Sequence, residues 1–147
     1  MGLFDSLLGG MQGSTKLTEQ EAFAGILFGA SACDGHIADE EMQGLIICLL
    51  RMKLYKRFDG NAYNKMMNKL HGAMKKRGVE PLVDACVEAL PDGLANTAFT
   101  NACDIVLSDG IVDPDEKEFI DKLQKKLRIE PNVAKTIVQV MVIKNKG

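Results

Sequence analysis

Tryptophan is absent and aromatic residues make up only 5% of the chain, so the apolar packing falls to aliphatic side chains and eight Met. No stretch of about 18 apolar residues occurs, which excludes a membrane-spanning helix of the usual kind. There is no signal-peptide pattern either, and the expected location is cytoplasmic. The charge balance is nearly even, at −2, and offers no general attraction for nucleic acid or an anionic membrane. No nucleophile motif, Gly-rich cofactor loop or aromatic substrate loop is found, so the chain reads as non-enzymatic. Of the four Cys, Cys48, Cys86 and Cys103 fall inside apolar helical patterns, where a reduced, buried thiol is expected. Cys33-x-x-His36 is the one local Cys–His pair; it lacks the second pair that a zinc site of this spacing needs.

What is present is helical periodicity over most of 147 residues, a length that suits one domain with its own core. Residues 1–16 read as a short amphipathic segment, with Leu3, Phe4, Leu7 and Leu8 on one side, followed by a Gly-rich linker. Met1-Gly2-x-x-x-Ser6 matches a myristoylation signal by its letters, but packing onto the domain, or disorder, is favoured over a membrane foothold because no Lys or Arg assists. Residues 17–147 predict about seven helices. They start near Thr18 (a capping box with Glu21), Asp39, Asn61, Pro81, Leu94, Pro114 and Pro131. The second is expected to run to Leu54 and to be buried on much of its circumference. No segment alternates with period two for long enough to be a strand. The expected class is all-α, a single compact domain built from two related helical halves.

The halves are marked by a repeated acidic stretch. Asp34-Gly35-His36-Ile37-Ala38-Asp39-Glu40-Glu41 and Asp109-Gly110-Ile111-Val112-Asp113-Pro114-Asp115-Glu116 share Asp-Gly, an aliphatic residue and a final acid–Glu pair. Each lies between two apolar helices. The glycines suit positive φ after a helix, and Ile37 and Val112 suit a return into the core. Asp113, Pro114 and Glu116 suit a capped helix start, whereas Ala38 offers no side-chain cap. Asp39, Glu40 and Asp115 favour the helix dipole. Asp34 and Asp109 have no such role in the sequence, and the functional expectation rests on them.

Carboxylates crowded together repel, and a hard divalent cation relieves that repulsion. Asp34, Glu41, Asp109 and Glu116 are therefore the candidate metal ligands, with Asp39, Glu40, Asp113 and Asp115 as further acidic contacts. Calcium or magnesium is the natural ion, with zinc if His36 joins. An EF-hand is excluded, because its register would place Ala30 and Ala32, or Ile105 and Leu107, where acids are needed. A metal site would have to be assembled between the two corners. The other reading is a protein-interaction scaffold in which the same acids are helix caps. Between the corners, Lys53, Lys56, Arg57, Lys65, Lys69, Lys75, Lys76 and Arg77 concentrate positive charge, either as a solvated helix face or as a surface for an acidic partner.

Ala32-Cys33-Asp34-Gly35-His36-Ile37-Ala38-Asp39-Glu40-Glu41 and Leu107-Ser108-Asp109-Gly110-Ile111-Val112-Asp113-Pro114-Asp115-Glu116, at this spacing in an all-helical chain, resemble the TerB-like tellurite resistance family over about residues 17–144. The resemblance implies a seven-helix domain of two halves, with Asp34, Glu41, Asp109 and Glu116 as the acids that bind a divalent metal. It also implies non-enzymatic work in a stress-response complex with protein partners at the inner membrane face. Nucleic acid is not expected as a partner, and a homo-oligomer is compatible with this reading. Ala38 departs from the family pattern at a capping position.

Overall fold

The computed structural model describes residues 16–147, and the N-terminal amphipathic segment and linker expected over residues 1–16 lie outside them, apart from Lys16. Among the described residues there are seven α-helices and no strand: α1 (Glu19–Ser31), α2 (Asp39–Leu50), α3 (Gly60–Arg77), α4 (Val79–Ala89), α5 (Ala95–Val106), α6 (Pro114–Lys126) and α7 (Pro131–Lys144). Two single 3₁₀ turns, Lys53–Tyr55 and Asp92–Leu94, join α2 to α3 and α4 to α5. The all-α single domain read from the sequence is the one formed.

The core is organised around α1. Its start is fixed by a capping box: the Glu21 amide donates to Thr18 Oγ1 at 3.1 Å, and the Thr18 amide donates to Glu21 Oε1 at 3.0 Å. The sequence suggests one buried stripe, but every residue from Ala22 to Ala30 is buried. The cause is that α1 packs most extensively on α4 and α5 and also meets α2, α3 and α6. Small residues make this possible. Gly29 lies against Val83 of α4, where a Cβ would come within 2.5 Å of the valine Cγ2. Phe23, Phe28, Phe99, Leu27 and Leu123 are among the largest fully buried side chains of this core. By area, each such fully buried side chain contributes roughly 1.5–3 kcal/mol.

At the N-terminal end of α1 an aromatic group closes the core. Tyr55 stacks edge-on against Phe23 and Phe58 and tilts onto Tyr63. Its hydroxyl donates to the Gln20 carbonyl at 2.7 Å, and the Gln20 side chain donates to the Leu54 carbonyl at 3.3 Å. Burial pushes the Tyr55 phenol far above its ordinary range, so it stays a donor.

Helix α2 departs from expectation. It ends at Leu50 and buries only Leu45 and Leu49, because α1 is the main helix it packs against. Ile47 is 58% and Leu50 60% exposed, and Cys48, expected inside, is exposed. The other boundary shift is at Gly78. Its φ of 94° ends α3 and at once leads into α4 at Val79, two residues before Pro81.

Candidate functional site

Both acidic corners are built the same way. In the first, Gly35 takes φ 92°, and its amide donates to the Ala32 carbonyl at 2.7 Å. In the second, Gly110 takes φ 76°, and its amide donates to Leu107 at 3.1 Å. Asp34 Oδ1 then accepts from the His36 amide at 3.0 Å, and Asp109 Oδ1 from the Ile111 amide at 3.0 Å. This is the Asx turn, in which a short carboxylate satisfies a backbone donor two residues on. The two aspartates left without a structural role in the sequence therefore have one, and it is the same in both copies.

The final glutamates are likewise matched. Glu41 accepts from the Ala38 amide at 2.9 Å, and Glu116 from the Asp113 amide at 3.1 Å. Asp113 completes its half of the box by accepting from the Glu116 amide at 2.9 Å. Ala38 has no oxygen to do so, and α2 starts with half a box. Asp39, Glu40 and Asp115 stand exposed in the first turns of α2 and α6, where the helix dipole favours them. Ile37 and Val112 pack, partly buried, against the core. Asp104 of α5 holds the end of α7: Lys144 Nζ lies 3.0 Å and Asn145 Nδ2 2.8 Å from its Oδ1.

The corners lie at the same end of the molecule. Cys33, just past α1, shares a cavity of about 190 Å³ with Asp115 and Glu118 of α6, and Gly29 reaches Phe119. The Cys33 thiol is held up to about 11, first by burial and then by the charges of Glu116, Asp113 and Asp34. A thiol so placed stays protonated, the opposite of what a nucleophile or a zinc ligand needs. Glu116 is also raised, chiefly by burial and further by Asp113 and Asp109, although the Asp113 amide opposes this. Glu41 faces elsewhere, into a groove it shares with Gly44, Cys48, Ile105 and Lys144. Among the described residues, no three His, Cys, Asp or Glu side chains form a set that could hold a metal ion. Asp34, Glu41, Asp109 and Glu116 are each tied to a backbone amide of their own corner.

The cavity beside Cys33 also holds a group that the sequence reading missed. Glu80 of α4 meets Lys122 at 3.3 Å and Lys126 at 3.4 Å, Lys126 also pairs with Asp84, and Lys122 pairs with Glu118 at 3.1 Å. The two lysines draw the Glu80 carboxyl below its ordinary range. Acids four apart on α4 facing bases four apart on α6 are the signal that would have shown it.

The basic stretch runs along the first 3₁₀ turn and α3. Residues 51–77 carry nine Lys and Arg against one acid, whereas residues 78–116 carry nine acids and no Lys or Arg. Lys53, Lys56, Arg57, Lys65, Lys75, Lys76 and Arg77 are all exposed. Lys69 is not free, since it pairs with Glu21 at 3.0 Å.

No family model, curated protein or solved structure matches this chain. Among the described residues, no helix is long and apolar enough to cross a membrane.

Proposed function

We propose that this domain is a non-enzymatic protein-interaction module whose acidic corners are helix-capping devices and whose exposed basic face, along the first 3₁₀ turn and α3, receives an acidic protein partner. The observation that carries this reading is the matched use of the carboxylates. Asp34, Glu41, Asp109 and Glu116 each give an oxygen to a backbone amide of their own corner. Carboxylates engaged in this way stabilise two turns, and they need no ion to explain their repetition. Apart from Lys69, paired with Glu21, and Lys75, Lys76 and Arg77, which suit the C-terminal dipole of α3, the positive charge of residues 51–77 then stands out as a feature with no partner among the described residues. Exposed like charges on one face cost a little stability through repulsion, and they speed encounter with an opposite charge. The resemblance to the TerB-like family supports the same class, because it implies a domain that works within a complex.

The test separates the two surfaces. Lys56→Glu with Arg57→Glu and Lys65→Glu, all exposed and away from the C-terminal turn of α3, should abolish recovery of partners from native lysate while leaving the melting temperature nearly unchanged. Asp34→Asn with Asp109→Asn should leave partner recovery intact. Titration with calcium, magnesium, manganese and zinc should give no saturable heat. Saturable binding lost in the Asp34→Asn, Asp109→Asn variant would restore the metal reading and end this one.

A further inference from the structure

Helices α6 and α7 both lie on α5 and make little contact with each other, so the surface between them is a groove floored by α5. Two hollows open along it, of about 350 and 340 Å³. They share Ile120, Asp121 and Val138, and their floors include Phe99 at one end and Cys103 and Val106 at the other. Phe99 to Val106 spans seven residues of α5, roughly 10 Å at the helical rise, or two turns. The floor is apolar and the walls mostly so, with Lys117, Asp121, Gln124, Lys135 and Gln139 as the polar residues along them. A groove of this shape fits the apolar side of a two-turn helix.

The chain itself contains such a stripe. Leu3, Phe4, Leu7 and Leu8 occupy one side over two turns by their spacing, and Asp5 beside them would meet a lysine edge. Their tether emerges at a suitable end. The C-terminal end of α1 meets the start of α6, through Gly29 with Phe119 and through the cavity shared by Cys33 and Asp115. Helix α5 also ends there, at the second corner, so α1 and α5 run in the same direction. Thr18, at the start of α1, therefore lies towards the Phe99 end of the groove. Leu8 and Thr18 are ten positions apart, a reach of up to about 33 Å, against a length of about 20 Å for α1.

We infer that the groove between α6 and α7 is the docking site for the chain's own Leu3, Phe4, Leu7 and Leu8. This goes beyond the basic-face reading and does not depend on it, since the groove lies on other helices.

Amide spectra of the full chain, of a chain lacking residues 1–14, and of the full chain carrying Phe4→Asp with Leu7→Asp test the inference. All described core residues remain in each. The two altered chains should show the same shift changes, concentrated on Ile120, Asp121, Val138 and their neighbours and independent of protein concentration. Three results would overturn the inference: no change in the groove, changes centred instead on the exposed Ile47 and Leu50, or changes that grow with concentration and so place a second copy in the groove.

Discussion

Gly25 of α1 and Cys86 of α4 approach so closely that a methyl group on the glycine would overlap the cysteine sulfur. Together with Gly29 against Val83, this sets the distance between the central helix and its main neighbour. Glycine costs a helix interior about 1 kcal/mol relative to alanine, so the pair is retained against local propensity.

Gly25→Ala is the direct test. Helix propensity alone predicts a gain of up to about 1 kcal/mol, whereas overpacking against a short, buried side chain costs about 1–3 kcal/mol. Sulfur on a one-carbon stem has little room to swing away, and Leu70 also lies close to the glycine. Overpacking should win, lowering the urea midpoint, and Cys86→Ala added to Gly25→Ala should recover part of the loss. Stabilisation by Gly25→Ala alone would show that the two helices can separate freely.

The corner geometry makes a second, sharper prediction. Ala38 occupies the position that Asp113 fills in the other half, and it leaves α2 with half a capping box. Ala38→Ser or Ala38→Asp should therefore stabilise the protein by about 1 kcal/mol, while Asp113→Ala should cost about the same. Asp34→Asn should change stability little, since an amide oxygen can accept from the His36 amide as the carboxylate does. Asp34→Ala should cost more. Thermal melts of the five variants decide the matter, and an unchanged melt for Asp113→Ala would remove the capping account.

Much of this was legible in the chain. Helix starts at Thr18, Pro114 and Pro131 could be read because capping residues and proline act locally, and positive φ at Gly35 and Gly110 followed from Asp-Gly after an apolar helix. Burial was less legible. Helix α1 looks amphipathic by stripe yet is enclosed on all sides, whereas the equally apolar α2 leaves Ile47, Cys48 and Leu50 outside. Which of two apolar helices becomes central depends on long-range packing, here on Gly25 and Gly29, and periodicity does not carry that. The aspartates were misjudged for a different reason. An Asx turn leaves no periodic trace, so Asp34 and Asp109 looked like surplus charge when each was holding an amide.

The four thiols should separate by reactivity. Cys48 is exposed, whereas Cys86 and Cys103 are buried and their thiols are pushed up to about 12, chiefly by burial. Cys33 is half-buried and held up to about 11 by burial and the acids around it. Alkylation of native protein at pH 8, read by mass spectrometry, should label Cys48 within minutes and Cys33 far more slowly. Cys86 and Cys103 should react only after unfolding. Fast labelling of Cys33 would revive a reactive-thiol role beside His36.

Glu116 links the second corner to pH. Burial, Asp113 and Asp109 raise its carboxyl above the ordinary value of 4.5, although it accepts the Asp113 amide. A carboxyl raised by folding holds its proton more tightly in the folded state than in the unfolded one. Its contribution to stability is therefore full below the unfolded value, near pH 4.5, and is lost as pH rises through the higher folded value. Glu116→Gln keeps an acceptor for the Asp113 amide and removes that ionisation. The variant should be at least as stable as the natural chain at pH 7, and its advantage should shrink as pH falls towards 4.5. Denaturant melts at pH 4.5, 5.5 and 7 measure this. A Glu116→Gln variant that loses stability at pH 7 would mean that the charge itself, through the α6 dipole or a bound cation, supports the corner.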